Sequence, residues 1–331
     1  MLARECRSVL LDGKDPIDAR KAVRLKDALQ RARSMTFEQC AAAYIDAHRS
    51  SLKNARHADQ WKSTLATYAS PIIGALPVAD VDTDLLVKVL SRIWGAKTET
   101  ATRVCGRIES ILEWATVSKF RQGDNPARWR GHLANLLANP NNIAPVRNHP
   151  ALPWRDVPTF MALLAQCPGV AARAAEFAIL TSARSGEVRA ASWEEVELNK
   201  SLWTIPAVRM KAGNEHRVFL STAAVGLLAA IRCREGLIFP GRSQSVALSD
   251  MSLAAVLRRM GRGDIPIHGF RSSFRDWCAE AVGNSSPREV CEHALAHSLP
   301  DRVEAAYRRR DLFEKRIVLM ADWADYCTRN I

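Results

Sequence analysis

The feature that most restricts the fold is a long stretch of helical periodicity that contains no strand pattern. Between Thr36 and Ser118, apolar residues recur at helical spacing in four successive segments, which begin near residues 36, 55, 83 and 98. Thr36 is the predicted N-cap of the first segment. Because a helix with one apolar face buries that face against its neighbours, this stretch predicts a small four-helix bundle.

The chain changes character on both sides of this bundle. Residues 121–153 accumulate Gly, Pro and Asn, which breaks the helical periodicity and indicates a domain boundary. Residues 1–34 are polar and heavily charged. We therefore expect four parts, which are a charged linker at 1–34, a helical domain at 35–138, an interdomain linker at 139–150 and a second domain at 151–331.

The second domain combines helices with one short cluster of strands. Helical patterns cover 154–166 and 170–180, and they resume after residue 223. Between them, residues 195–198, 202–206 and 217–221 alternate between apolar and polar positions, which is typical of strands. Lys211 lies at the tip of the hairpin between the last two strands. The expected fold class is mainly α, with two domains and a small antiparallel β-sheet in the second.

The charge balance indicates a polyanionic partner. The chain has 47 Lys and Arg residues against 35 Asp and Glu residues, which gives a net charge of +12 at pH 7 and a pI near 9.6. The excess is spread along the whole chain rather than concentrated in one patch. Nucleic acid is the simplest partner for such a chain, although a soluble protein that is merely basic would show the same balance.

The eight cysteines are scattered and form no CxxC pair, which predicts reduced thiols in a cytosolic protein. Cys291, His293 and His297 lie close in sequence, but no second ligand cluster completes a tetrahedral site. A helix would also place Cys291 and His293 on different faces, so we expect no metal. With no signal peptide and no apolar run of membrane length, we expect a cytoplasmic protein without a membrane partner.

A capping pattern precedes a histidine near the C-terminus. Ser286 and Glu289 have the spacing of a capping box, with Pro287 at the first helical position. The pattern predicts a sharply capped helix that carries His293 and His297.

Tyr307 follows His297 by ten residues, and three arginines come directly after it. It lies in a predicted short helix at 301–309, which precedes a final amphipathic helix at 311–328. On these residues alone, Tyr307 is either a nucleophile aimed at a phosphate or the apolar anchor of the short helix.

Taken one at a time, the other polar residues of the second domain have ordinary structural interpretations. Arg184 suits a salt bridge at a helix junction, Lys211 a solvated hairpin tip and His297 a satisfied core histidine. His268 suits a loop cap, and Arg271 suits an ion pair on the surface. Their order along the chain changes this interpretation, because five independent structural roles would have to fall in that order by coincidence.

Together these residues resemble the motifs of the tyrosine recombinases, in particular phage- and island-type integrases of the satellite-phage kind. TSARSGE, from Thr181 to Glu187, matches the T-x-x-R-x-G-E motif of that family, and HGFR, from His268 to Arg271, matches its H-x-x-R box. Leu-Ala-His at 295–297 matches its leucine-small-histidine element. The six positions that match catalytic residues of the family are Arg184, Lys211, His268, Arg271, His297 and Tyr307.

The resemblance implies a role for each residue around the nucleophile. Arg184 and Arg271 would clamp the scissile phosphate through bidentate hydrogen bonds. Lys211 would protonate the leaving 5′-oxygen as a general acid. His268 would orient or deprotonate the tyrosine, and His297 would hydrogen-bond the phosphate.

The implied nucleophile is Tyr307, which forms a 3′-phosphotyrosine that conserves the bond energy and needs neither ATP nor a metal cofactor. The implied function is site-specific integration or excision of a mobile element. Two alternatives are a catalytically degenerate remnant that only binds DNA, and a type IB topoisomerase that relaxes supercoils. The complete set of six positions argues against the remnant, and the HGFR box with the preceding four-helix domain favours a recombinase.

The implied partner is double-stranded DNA, bound by a homotetramer on two synapsed sites, with accessory DNA-bending or excision factors left open. Residues 35–138 would form the core-type DNA-binding domain and 151–331 the catalytic domain of a nucleoid-associated protein. The final helix would dock on a neighbouring protomer or pack in its own chain. The residues expected to contact DNA phosphates are Lys53, Arg56, Lys62, Lys97, Arg103, Arg107, Arg308 and Arg309.

Residues 1–34 depart from the pattern of the family. Integrases of this kind carry an N-terminal, strand-containing domain that binds arm-type DNA sites, and residues 1–34 resemble only its end and the following linker. The resemblance therefore does not extend to arm-type DNA binding.

Overall fold

The computed structural model describes residues 34–49, 55–145, 150–281, 286–297 and 311–329, with the backbone alone at 55 and 56, and the single positions 15, 17, 18 and 21. The chain forms two compact units, Met1–Arg147 and Asn148–Ile331. The finer boundaries at 34, 138 and 150 stay predictions. No helix in the described ranges is long and apolar enough to cross a membrane.

The first unit is a helical bundle, as the periodicity predicts. Its helices are α1 (Phe37–Ala47), α2 (Ala55–Tyr68), α3 (Thr83–Trp94), α4 (Thr98–Val117) and the short α5 (Pro140–Ile143). A π-helical turn at Ser70–Gly74 follows α2. The largest fully buried side chains of this unit are Phe37, Ile73, Leu86, Leu90, Ile108, Ile111 and Leu112.

Side-chain caps determine where two of these helices begin. Thr36 Oγ1 accepts a hydrogen bond from the Gln39 N–H at 3.2 Å, and Gln39 Oε1 accepts one from the Thr36 N–H at 2.9 Å. These two bonds form a capping box, which confirms the predicted N-cap at Thr36. At the start of α3, Asp82 Oδ1 accepts from the Leu85 N–H at 2.9 Å.

Arg107 differs from the surface position that we expected. Only 8% of the residue is exposed. Its Nη1 donates to the Gln60 carbonyl oxygen at 2.9 Å and to Thr64 Oγ1, and its guanidinium lies 5.4 Å from the centroid of the Trp61 ring. These bonds join α4 to α2 and satisfy the charge inside the unit. The burial of Arg107 therefore argues against the predicted phosphate contact.

The second unit is also mainly helical. Its helices are α6 (Val157–Gln166), α7 (Val170–Thr181), α8 (Ser185–Arg189), α9 (Thr222–Ala229), α10 (Ser252–Arg259), α11 (Gly269–Glu280), α12 (Arg288–Ala294) and α13 (Phe313–Thr328). Between α8 and α9 lie β1 (Val196–Glu197), β2 (Leu202–Ile205) and β3 (His216–Phe219). The predicted fold class, mainly α with a small antiparallel sheet in the second domain, is confirmed.

The three strands form one antiparallel sheet in the order β1-β2-β3. Trp203 pairs with Val218 and Ile205 pairs with His216 across β2 and β3. Paired residues point to the same face of a sheet, and Trp203, Ile205 and Val218 are all buried. His216 therefore lies on the face of β3 that packs on the core.

The final helix, α13, packs within its own unit. Trp323 is fully buried, with its ring centroid 5.3 Å from that of Phe274 and 5.2 Å from that of Trp277. Its Nε1 donates to the Ile179 carbonyl oxygen at 2.9 Å, which joins α13 to α7. Of the two alternatives for this helix, packing in its own chain describes the structure.

The predicted capping box before α12 is wrong. The helix begins at Arg288 with Pro287 as its N-cap, and among the described residues no side-chain hydrogen bond forms at this cap. It ends at Ala294, so His297 lies beyond the helix rather than on it. A local turn ends α12, because Ala296 adopts a left-handed conformation and the His297 N–H donates to the Glu292 carbonyl oxygen at 3.0 Å, which is the bond pattern of a helix C-terminus.

Substitutions at Trp323 test whether α13 belongs to the core of this unit. Trp323→Ala should lower the free energy of unfolding by about 3–5 kcal/mol, because it leaves a large cavity. Trp323→Phe should cost less, about 1–3 kcal/mol, because it removes the indole hydrogen bond and leaves the Ile179 carbonyl oxygen with the Ser182 N–H as its remaining donor. Urea unfolding followed by circular dichroism measures both. Losses that depend on protein concentration would contradict packing within one chain.

Candidate active site

Three of the six predicted catalytic side chains meet in the second unit. Arg271 is the most deeply buried, with 6% of the residue exposed. Its Nη1 donates to the Ser182 carbonyl oxygen, while its Nη2 donates to the Leu295 carbonyl oxygen at 2.5 Å and lies 3.3 Å from His297 Nε2. Arg184 reaches the same turn, because its Nη2 lies 3.4 Å from the Leu295 carbonyl oxygen. The three side chains therefore form one basic cluster.

Arg184 is held at the tight junction between α7 and α8. Glu187 Oε2 accepts the Arg184 backbone N–H at 2.8 Å, and Glu187 Oε1 accepts Arg184 Nη1 at 2.7 Å. Ser185, whose side chain would suit an N-cap, is the first residue of α8, and the Glu187 carboxylate reaches back to the N-cap position that Arg184 occupies. The Arg184 Nη2 also donates to the Ala296 carbonyl oxygen at 3.0 Å.

The start of α11 directs Arg271 inward and leaves His268 outside. A Cβ atom on Gly269 would lie 2.5 Å from the Pro150 carbonyl oxygen. Only glycine therefore allows the segment around Pro150, which precedes α6, to approach the start of α11 this closely. Arg271 follows in the first turn and is buried. His268 occupies the N-cap position, three residues before Arg271, and is exposed.

His297 is held by Glu292, a residue that the motifs did not indicate. Glu292 Oε2 lies 2.6 Å from His297 Nδ1, and Glu292 Oε1 accepts Arg275 Nε at 2.7 Å. Burial raises the pKa of the Glu292 carboxyl, but the hydrogen bonds from His297 and Arg275 outweigh it, so the pKa lies below its ordinary value. Residues five apart do not share a helical face, so periodicity alone could not pair them.

Two left-handed residues supply acceptors to the arginines. Ser182 has a φ of 52° and Ala296 has a φ of 48°. A non-glycine residue in this region costs on the order of 1 kcal/mol. The Ser182 carbonyl accepts from Arg271, and the Ala296 carbonyl accepts from Arg184. The strained turns are therefore the ones that place acceptors beside the two guanidiniums.

The cluster leaves buried donors without acceptors. Burial and the neighbouring charge of Arg184 lower the pKa of Arg271 to about 10, against the opposite effects of Glu187 and Glu292, so the guanidinium stays charged at neutral pH. Arg271 Nε and Ser182 Oγ are buried and have no hydrogen-bond partner within the described parts of the chain. Unpaired donors beside a buried positive charge favour an anionic ligand.

Lys211 is exposed in the connection between β2 and β3. Two residues earlier, Arg209 donates to the Glu187 backbone carbonyl and to the Glu195 carboxylate. These bonds tie the connection to α8, directly beside Arg184. Lys211 therefore extends from a segment that is anchored next to the basic cluster.

His216 also belongs to this region, although the motifs did not indicate it. Burial and the charge of Arg316 lower its pKa to about 4, a hydrogen bond to the Ala294 backbone opposes this shift, and the charges of Arg184 and Arg271 add to it. The ring is therefore neutral at physiological pH. The strand predicted at 217–221 began one residue later, and the observed pairing of His216 with Ile205 places it on the buried face.

Asp311 fastens the chain to the sheet four residues after Tyr307, which itself lies outside the described residues. Arg217 on β3 binds Asp311 through two hydrogen bonds, with Nε to Oδ2 at 2.9 Å and Nη2 to Oδ1 at 2.8 Å. Arg316 Nη2 reaches Asp311 Oδ2 at 2.8 Å. Burial raises the pKa of the Asp311 carboxyl, but its arginine partners lower it below its ordinary value.

Three of the expected DNA-contacting residues are exposed on the first unit. Lys62 lies on α2, and Lys97 precedes α4 with its Nζ 3.3 Å from Tyr68 OH. Arg103 on α4 pairs with Glu99 one turn earlier. The remaining positions whose side chains lie outside the described residues are Lys53, Arg56, Arg308 and Arg309.

Two protein-family models match the chain. Residues 37–132 match the phage integrase central domain, and residues 152–312 match the phage integrase family. The first range contains the four main helices of the bundle, and the second contains all six predicted catalytic positions.

Individual proteins match over most of the chain. The integrase of Enterobacteria phage P4 is 30% identical over 352 residues, which covers 98% of this chain and 76% of that protein. Prophage integrase IntA of Escherichia coli (strain K12) is 28% identical, over 89% of this chain and 71% of that protein. A solved lambda integrase tetramer bound to a Holliday junction has a TM-score of 0.64 at 15% identity, over 84% of this chain and 82% of that chain. At this identity, the last comparison shows the fold alone.

The neutral state of His216 predicts a loss of stability in acid. The unfolded histidine takes up a proton near pH 6.5, whereas the folded ring resists protonation until about pH 4. The free energy of unfolding should therefore fall by up to about 3 kcal/mol as the pH drops through this window. Urea unfolding at pH 7.5 and pH 5 measures the change. His216→Gln, which cannot titrate, should lose less stability between the two pH values, and an equal loss would contradict the assignment.

Proposed function

The chain belongs to the phage integrase family of tyrosine recombinases, and from this premise we propose which of its residues carry out strand exchange and on what substrate. The protein is a site-specific recombinase. Its substrate is double-stranded DNA at an attachment site of a mobile element, which it cuts and rejoins through a 3′-phosphotyrosine on Tyr307.

The observation that carries the proposal is the meeting of two guanidiniums at one oxygen atom. Arg271 Nη2 and Arg184 Nη2 lie 2.5 and 3.4 Å from the Leu295 carbonyl oxygen. Donors that reach one common acceptor also reach two oxygens of a single phosphate bound beside it. Arg271 Nε, which has no partner among the described residues, adds a further donor. Such a clamp stabilises the charge that develops on the non-bridging oxygens during in-line attack.

The covalent step exchanges one phosphodiester for another. The Tyr307 oxygen attacks phosphorus, the bond from phosphorus to the 5′-oxygen breaks, and its electron pair leaves on that oxygen. Lys211 gives the leaving oxygen a proton as general acid, and His268 accepts the proton of the tyrosine or orients its hydroxyl. The exposed positions of Lys211 and His268 suit contact with a DNA backbone that enters from solvent. Rejoining reverses these transfers at a second DNA end.

Strand exchange between two sites requires four active copies, so we propose a homotetramer on two synapsed duplexes. The tetramer of lambda integrase on a Holliday junction supports this assembly through the shared fold. The first unit would bind the duplex through exposed lysine and arginine side chains, including Lys62 and Lys97.

Covalent trapping tests the assigned chemistry. The full chain is incubated with a duplex that carries the attachment site of the mobile element. A nick beside the scissile phosphate lets the short strand released by cleavage diffuse away, so the covalent adduct cannot be rejoined. The wild type should accumulate a protein–DNA adduct, and Tyr307→Phe should form none. Arg271→Lys keeps the charge but loses the forked geometry, and should slow adduct formation by on the order of 10²- to 10³-fold.

Two results would overturn this assignment. One is an adduct formed by Tyr307→Phe, and the other is an Arg271→Lys rate equal to that of the wild type. Supercoil relaxation without exchange between two sites would favour topoisomerase chemistry. Gel-shift assays show whether each variant still binds the duplex, which separates lost chemistry from lost binding.

Substitution of exposed lysines in the first unit should affect DNA binding, whereas substitution of its buried arginine should affect stability. Replacing both Lys62 and Lys97 by alanine should weaken DNA binding and reduce the slope of log affinity against log salt by about 2, because two phosphate contacts are lost. Fluorescence anisotropy over a salt series measures the slope. Arg107→Ala should instead lower the free energy of unfolding by about 1.5–3 kcal/mol, because its internal charged hydrogen bonds are lost. An unchanged slope in the lysine variant would contradict this interface.

A further inference from the structure

The contact between Glu292 and His297 has the geometry of a carboxylate that orients a catalytic imidazole. The Glu292 side chain is 14% exposed, and both of its oxygens are engaged, with Oε2 2.6 Å from His297 Nδ1 and Oε1 2.7 Å from Arg275 Nε. The His297 backbone N–H also donates to the Glu292 carbonyl oxygen at 3.0 Å. Main chain and side chain thus hold the same pair of residues together.

The two partners of the imidazole determine where its proton lies. A carboxylate can only accept, so Nδ1 carries the hydrogen that is donated to Glu292. A guanidinium can only donate, so Nε2 accepts from Arg271 Nη2, at 3.3 Å. Neutral His297 protonated at Nδ1 satisfies both contacts, and the opposite tautomer satisfies neither.

The turn after α12 brings the two residues of this pair together. Because α12 ends at Ala294 and Ala296 adopts a φ of 48°, the chain turns sharply and His297 returns to the side of Glu292. The same turn presents the Leu295 carbonyl oxygen to both arginines. The same turn therefore orients the imidazole and positions the carbonyl oxygen that the two arginines share.

We propose that Glu292 is a positioning residue for His297, whose carboxylate holds the imidazole by Nδ1 and directs Nε2 toward the phosphate that Arg184 and Arg271 bind. This inference rests on the proposed function, because it requires His297 to contact the scissile phosphate. For Nε2 to donate to a phosphate oxygen it takes up a proton from solvent, and the Glu292 carboxylate stabilises the resulting imidazolium from the opposite side.

A double-mutant cycle on the nicked duplex tests the proposal. Glu292→Gln keeps the shape of the side chain and removes its charge, and it should slow adduct formation by about 10- to 100-fold. In a His297→Asn background the same change should alter the rate by less than about twofold, because the group through which Glu292 acts is gone. Asp322→Asn removes a carboxylate charge from the exposed face of α13 and serves as the control, with a rate near that of the wild type.

A spectroscopic measurement reports on the imidazole without DNA. In the full chain labelled with ¹⁵N-histidine, two-bond ¹H–¹⁵N spectra distinguish the ring tautomers, and His297→Asn identifies the signal of His297. The wild type should show protonated Nδ1, and Glu292→Gln should lose this preference. Circular dichroism confirms that each variant is folded.

The outcomes separate this inference from the function on which it rests. If the wild type forms no adduct through Tyr307, the proposed function fails. If the wild type forms it and Glu292→Gln slows the reaction equally with and without His297, Glu292 has only a structural role and the inference fails. The inference also fails if Glu292→Gln leaves both the rate and the tautomer of His297 unchanged.

Discussion

The rest of the site depends on the burial of the Arg271 guanidinium. A buried cation needs acceptors, and here neutral carbonyl oxygens of Ser182 and Leu295 provide them. Carbonyls satisfy the donors without cancelling the charge, whereas a carboxylate in direct contact would do both. The nearby carboxylates of Glu187 and Glu292 are engaged by Arg184, Arg275 and His297. The positive charge therefore stays available to a ligand that brings its own negative charge.

This arrangement depends on turns more than on helices. The carbonyl groups that face the arginines come from the end of α7 and from the turn after α12, and at each place a non-glycine residue adopts the left-handed conformation. Such turns persist only where the surroundings determine them. Here the packed core holds the turn at the end of α7 in place. Trp323 on α13 donates a hydrogen bond to the Ile179 carbonyl oxygen near the end of α7 and packs against Phe274 on α11. The stability of the core and the geometry of the site are thus two aspects of one packing arrangement.

Several residues show how far sequence reasoning reached. The motifs indicated Arg184, Arg271 and His297, and the structure brings these three together. The residues that hold them were harder to find. Glu292 is separated from His297 by a spacing that no regular helix pairs, and His216 carries no motif. The same limit explains why the sequence did not predict the burial of Arg107 or the start of α12 at Arg288. A solvated arginine and a buried one have identical sequence patterns, and so do a capping box that forms and one that does not.

By itself, the sequence determined the helical class of the chain, the position of the small sheet in the second unit and the likeness of the chain to the integrases. Periodicity, strand alternation and motif order are properties of neighbouring residues, and they can be read without knowing how distant segments meet. Only the tertiary structure decided that α13 packs in its own unit, that His297 leaves its helix and that Arg184 and Arg271 share an acceptor. Arg184 and Leu295 are 111 residues apart, and their contact exists because the core brings two strained turns to the same place.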